Sequence, residues 1–355
     1  MSDATTPRRF PKRKNEIVAA LSEEIRALPS GARLPATLEL CRRFRCAGMT
    51  VTRALGELEL RGEIYRINRR GTFVSCRELR EVYVLVPAPG GRWPGATPVY
   101  NRILQEAERR GIPVHMIYIT GDNIPSHIDR ASVERIPVGG AVIVVSYWYH
   151  YVFRFLAERR CRVVLFDSFW DLSIQMDSEI AMTWCRLRLP LREAIGEAVR
   201  RLAAAGHRNI LYLHRSVHCD TMGIRAFREA LHREKIPSRP AWETYGEDDY
   251  QELYETLRKR LYELPECNAI LARYPMQAEV AVAVLRQLKR RIPRDVSVIS
   301  LEDHPRLLAC TPPVTVVNSM PTGEAAGRAL DMLAAGAATG ESATLNFTVA
   351  DRGSV

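Results

Sequence analysis

The sequence predicts an α/β protein in two unequal parts, a small helical head closed by a basic hairpin and a large body of parallel sheets covered by helices. Three observations carry that reading. Residues 1–75 show three successive helix-period patterns and a hairpin signal. From Val82 onward, short β-rich runs alternate with helical patterns. The charge is also uneven: residues 1–80 hold 17 Lys/Arg against 9 Asp/Glu, and the remainder 34 against 32, within a formal net charge of +10.

At 355 residues, with 46% hydrophobic and 26% charged side chains, the chain has length for two or three domains and for sizeable cores. No apolar run is long enough to cross a bilayer, so no membrane partner is expected. The opening MSDATTPRRFPKRKNE is basic and polar and lacks the apolar middle of a secretory signal, which points to the cytoplasm. A basic head on a nearly neutral body suits a polyanion such as DNA. The eight cysteines are scattered without a Cys-x-x-Cys pair, so reduced thiols are expected, and neither a zinc ribbon nor a redox motif. His214, His218, Cys219 and Asp220 form the tightest group of ligand types but have no recognised metal spacing. No metal and no cofactor are expected.

In the head, residues 15–28 carry Ile17, Val18, Leu21 and Ile25 on one helix face, and Pro29-Ser30-Gly31 ends the pattern. A shorter helix follows with Leu38, Leu40, Cys41 and Phe44, for which Thr37 is the start signal. After a short break at residues 46–48, the third pattern buries Val51, Ala54, Leu55 and Leu58, closes at Gly62, and leaves Thr50, Thr52 and Arg53 on its free face. Two short helices joined by a tight turn, the second polar and basic near its start, match a helix that enters a major groove. Strands at 64–67 and 72–74 flank Asn68-Arg69-Arg70-Gly71, a hairpin whose tip can reach phosphates or a minor groove.

Gly31-Ala32-Arg33-Leu34-Pro35, Leu40, Phe44, Thr50-Val51, Ala54-Leu55, Leu58, Gly62 and Arg70-Gly71-Thr72-Phe73-Val74 together resemble the GntR-type winged helix-turn-helix head. The resemblance implies double-stranded operator DNA as partner. It implies contacts from Arg33 and Thr37, from Gly48, Thr50, Thr52 and Arg53 at the start of the third helix, and from Arg69, Arg70, Gly71 and Thr72 in the wing. The departures fall on the reading surface. Ala47-Gly48 stands where the family has Ser-Arg, and Thr52 where it has arginine. Threonine cannot hold guanine with two hydrogen bonds as arginine does, so the family's operator sequence does not carry over.

In the body, strands are predicted at 82–86, 114–119, 141–145, 162–166, 209–213, 269–271 and 296–300, and helices at 99–110, 151–160, 191–205, 224–234, 250–264 and 278–291. Ligands on such sheets bind at the carboxyl ends of strands. There is no Gly-x-Gly-x-x-Gly after the first strand, no phosphate loop, no Gly-x-Ser-x-Gly elbow and no paired-histidine helix. Nothing marks an enzyme.

Ala204-Ala205-Gly206-His207-Arg208-Asn209-Ile210, Ala226-Phe227-Arg228-Glu229-Ala230-Leu231, Ile292-Pro293-Arg294-Asp295-Val296 and Thr311-Pro312-Pro313-Val314 resemble the LacI/GalR sensor domain, itself related to periplasmic binding proteins. The resemblance implies two lobes crossed three times by the chain, a ligand cleft between them, and dimerisation along the body. With a GntR-type head it is like the arrangement of arabinose-responsive repressors. The implied division is a winged helix-turn-helix over 1–75, a linker over 76–81, and an effector-binding and dimerisation domain over 82–355.

The family's clamp arginine falls on Gly223, its Asn-Asp pair on Tyr274-Pro275, and its strand-end Asp on Glu302, which keeps a carboxylate. Tyr147, Trp148, Asp167, Phe169 and Trp170, with His214, Arg225 and Tyr274, complete the candidate effector set. The expectation is a homodimeric repressor controlled by a small molecule. With Glu302 lacking a cation, that molecule is expected to be a neutral or amine-bearing ring compound. Two rivals stand beside it, a DNA-binding dimer whose pocket has decayed, and a solute-binding protein or sugar-modifying enzyme with a basic extension.

Overall fold

The computed structural model describes residues 10–28, 32–61, 63–67, 71–74, 79–87, 97–119, 130–145, 147–167, 177–214, 220–245, 249–335 and 340–355. The head contains helices α1 (Phe10–Ala27), α2 (Thr37–Phe44) and α3 (Gly48–Leu60), then strands β1 (Ile64–Ile67) and β2 (Gly71–Val74). Helix α1 begins earlier than the apolar pattern suggests, because basic residues extend it. Arg13 donates to the Arg45 carbonyl (3.2 Å) and Lys14 pairs with Glu57 (2.5 Å), tying that turn to α2 and α3. The apolar stripes of the three helices meet in one core of Ile17, Leu21, Ile25, Leu40, Val51, Leu55 and Leu58, closed by Ile64 and Val74 from the hairpin.

Two six-stranded sheets form the body. The first comprises β3 (Val82–Pro87), β4 (Val114–Ile119), β5 (Ala141–Val144), β6 (Arg162–Asp167), β7 (Cys185–Arg188) and β13 (Ser342–Thr344). The second comprises β8 (Ile210–His214), β9 (Glu243–Tyr245), β10 (Ala269–Ala272), β11 (Ser297–Ser300), β12 (Thr315–Asn318) and β14 (Thr348–Ala350). Their orders, β4-β3-β5-β6-β7-β13 and β9-β8-β10-β11-β12-β14, repeat one doubly wound topology. All pairings are parallel except β12 with β14.

Every residue of β5, β8, β10 and β11 is buried, as parallel strands covered on both faces require. The helices supply that cover. On the first sheet, α4 (Thr97–Arg109) and α13 (Thr322–Ala334) pack through Val99, Ile103, Ala326 and Leu330. On the second, α8 (Leu191–Ala204) and α9 (Thr221–Arg233) cover one face, and α10 (Tyr250–Glu263) and α11 (Pro275–Gln287) the other. The backbone passes between the sheets three times, after β7, after β12 and between β13 and β14.

Candidate functional site

Two surfaces gather the residues singled out by the sequence. The first lies on the head. Helix α2 ends at Arg45 in a left-handed conformation (φ 46°), and Ala47 starts α3 without a side-chain cap. The turn between them is therefore tight. On α3, Val51, Ala54, Leu55 and Leu58 are buried, while Gly48, Met49, Thr52 and Arg53 are exposed and Thr50 half-buried. Thr37 is the first residue of α2 and exposed; its cap position is Ala36, which makes no side-chain cap bond. The start signal therefore sits inside the first turn and not before it.

Arg33 bridges to Phe73, and Leu34 N–H donates to the Thr72 carbonyl (2.8 Å), so the chain before α2 is tied to β2 of the wing. The Arg33 side chain lies over Gly71, whose φ of +126° favours glycine. Gly71 and Thr72 are thus held beside Arg33. Gly62 and the tip residues Arg69 and Arg70 lie outside the described residues.

The second surface is the carboxyl end of the second sheet, at the switch point between β8 and β10. Arg273 directly follows β10 and is 7% exposed. Its Nη1 donates to Glu302 Oε1 (2.9 Å) and to Ser319 Oγ (3.3 Å), while Nε lies 3.9 Å from Asp220 Oδ1 and has no hydrogen-bond partner. The guanidinium sits over the Tyr274 ring, 4.9 Å from its centroid. Tyr212 donates its hydroxyl to Asp220 Oδ2 (2.7 Å), and its ring stacks between His214 (5.5 Å) and Phe227 (4.9 Å).

Burial raises the carboxyl pKa of both Asp220 and Glu302, and Arg273 pulls each back down. Burial also weighs against the charge on Arg273, but Tyr274, Glu302 and Asp220 more than offset it and hold it protonated. Two carboxylates around one guanidinium leave the ionised cluster one negative charge in excess. Such a site suits ligands that donate hydrogen bonds.

This geometry corrects the expectation that Glu302 lacks a cation. Arg273 supplies one from the residue just before Tyr274. Gly223 explains why the cation is not in the family's place: a side chain there would collide with the Asp220 carboxylate. Asp220, Arg273, Tyr212 and Ser319 are absent from the candidates read off the sequence, which flagged Asp220 only as a ligand type. A charged residue placed directly after the apolar run 269–272 was the available signal for Arg273.

The other described candidates divide between this cluster and other places in the fold. His214 ends β8 and is buried, close enough to Asp220 to lower its pKa. Asp167 ends β6, in the first sheet, fully buried with Arg186 at 3.8 Å. Arg225 is exposed on α9 and pairs with Glu229 (3.3 Å), outside the cluster. Tyr147 and Trp148 open a 3-10 turn, Tyr147–Val152; their side chains, and all of Phe169, Trp170, His218 and Cys219, lie outside the described residues. Among the described residues, no His/Cys/Asp/Glu group could hold a metal, and no helix is long and apolar enough to cross a membrane.

Comparison with known proteins bears on both surfaces. Residues 13–74 match the profile of bacterial regulatory proteins of the gntR family, and residues 199–355 that of the periplasmic binding protein-like domain. The chain is 30% identical over 147 residues to the HTH-type transcriptional regulator CelR of Thermobifida fusca, a match spanning 43% of that protein. It is 33% identical over 154 residues to the probable opine utilization operon repressor of Rhizobium rhizogenes, a match spanning 76% of that protein.

The chain belongs to this family of bacterial transcriptional regulators.

In fold, the regulator is similar to the solved CelR–cellobiose complex (TM-score 0.63, 19% identity, 87% of this chain and 90% of that one). It is similarly close to a LacI family regulator from Arthrobacter sp. FB24 in complex with lactose (TM-score 0.62, 20% identity, 78% of this chain and 99% of that one). The regulator thus joins a GntR-type head to a body of the LacI sensor fold.

Proposed function

We propose that the regulator is a homodimeric repressor that binds a pseudo-palindromic operator through two heads and releases or tightens it when a neutral, hydroxyl-rich ring compound closes the cleft. The first turns of α3, with Thr52 and Arg53 exposed and Thr50 half-buried, support the DNA-reading role. The carrying observation for the effector is the Asp220–Arg273–Glu302 cluster at the switch point between β8 and β10, where two carboxyl groups flank one guanidinium. A second carboxyl group beside the single arginine disfavours phosphate esters and acids. The cellobiose and lactose of the two solved complexes are of the favoured class. The output is a change in DNA binding rather than turnover, exerted in the cytoplasm.

Thermal-shift titration of the full chain with cellobiose, lactose, other neutral sugars, amines, sugar phosphates and organic acids tests this reading. A neutral sugar at 100 times its Kd is expected to stabilise the fold by about 2.7 kcal/mol. Glu302→Gln should weaken that ligand while leaving DNA affinity of the ligand-free chain unchanged. A phosphate ester or acid as the stabilising ligand, or unaltered binding in Glu302→Gln, would refute the assignment.

A further inference from the structure

We infer that Met49 reads thymine in the operator, by packing its side chain against the C5-methyl group in the major groove. The inference rests on the DNA-binding reading above and adds the residue that sets sequence preference. Met49 is the second residue of α3 and 68% exposed. Gly48 before it has no side chain to shield it, the nearest atom to a Cβ there being Cys41 Sγ at 3.9 Å. The residues of a reading helix that touch base edges are those of its first turns. Met49 therefore projects from the place where the groove floor must lie.

The hydrogen-bonding means of this helix are sparse. Thr50 is half-buried, Thr52 is exposed, and Arg53 is the one cationic side chain on α3 before its C-cap. A threonine hydroxyl both donates and accepts, so it distinguishes bases weakly. Gly48 contributes no side chain. The thymine methyl is the apolar group that the major groove displays. Methionine, unbranched and polarisable, adapts to such a contact and loses exposed apolar area by making it. Leu60, 77% exposed at the far end of the same helix, provides an internal contrast. Eleven residues along, it stands roughly 16 Å away along the axis, outside the first turns.

Substitution of deoxyuridine for thymidine tests this directly, because it removes only the methyl and keeps the hydrogen-bonding edge. The full chain is used to select a preferred duplex from a random double-stranded pool, and each thymine of that duplex is then replaced singly. For wild type, loss of the contacted methyl is expected to weaken binding about fourfold. In Met49→Ala the penalty at that position should vanish, and in Leu60→Ala it should persist. Both side chains are exposed, so neither change touches the head core.

A selected sequence without thymine, uracil tolerated at every position by wild type, or a penalty undiminished in Met49→Ala would overturn the inference and leave DNA binding standing. A pool that yields no enriched sequence would overturn the DNA-binding reading itself, and this inference with it.

Discussion

Arg273 is buried between two carboxylates, and a guanidinium so placed is costly to desolvate and costlier for its neighbours to lose. Arg273→Met removes the cation and leaves Asp220 and Glu302 side by side. The expected loss of unfolding free energy is about 3–5 kcal/mol, read by denaturant titration. Its pH dependence has a definite sign. Burial already raises both carboxyl pKa values above their ordinary range, and without Arg273 they rise further. A group with a raised folded pKa loses its contribution as pH climbs through that value, so the deficit should be larger at pH 8 than at pH 5. A loss below about 1 kcal/mol, or one independent of pH, would show that the cluster does not hold the site. Glu302 was legible in the sequence because the resemblance to the LacI/GalR sensor domain implies a carboxylate at that strand end. Tyr212 and Asp220 were not, because their meeting brings the middle of β8 to the residue that precedes α9, with the Asp220 carboxylate filling the space beside Gly223.

At the scale of elements, the wing shows how one residue constrains three segments. Gly71 starts β2 opposite Ile67, holds φ +126°, and lies under the Arg33 side chain from the segment before α2. Gly71→Ala should lower stability by about 1–3 kcal/mol through backbone strain alone. The added Cβ would also stand 2.9 Å from Arg33 Nε, so the guanidinium must move and DNA affinity should fall with it. Denaturation and duplex titration of the same variant check both effects; unchanged stability would show that the wing relaxes without cost.

Element positions were largely visible where apolar period and punctuation agree, as at β4, α8 and α10. Strand β7 was not read. Its sequence CRLR alternates buried and half-buried residues, with arginines on the outer positions, and a four-residue run of that kind has no distinctive period. Beyond β14 the C-terminus is held by partners distant in sequence: the Thr315 N–H donates to Ser354 Oγ (2.7 Å), which in turn donates to the Val298 carbonyl (2.6 Å).

For the molecule as a whole, the uneven charge has a measurable consequence. With 17 of the 51 Lys/Arg in residues 1–80, duplex binding should weaken steeply as salt rises, since each neutralised phosphate releases counterions. Plots of log affinity against log salt for wild type and Arg53→Ala, by anisotropy on the full chain, are expected to differ in slope by about one if Arg53 meets a phosphate. An equal slope together with an altered preferred sequence would place Arg53 on a base edge instead, and affinity insensitive to salt would remove the electrostatic basis of the reading.

What the sequence by itself determined is the order of parts: a basic head with three helices and a hairpin, then a body of parallel strands alternating with helices. These follow from local period, punctuation and charge, which each segment carries alone. Tertiary structure decided which strand ends share a site. It placed Arg273, Asp220, Glu302 and Ser319 together across up to 99 residues of sequence, and so supplied the cation that the sequence reading of the pocket lacked. The physical reason is that a buried charge is defined by its neighbours through space, and parallel crossovers bring those neighbours from separate segments of the chain.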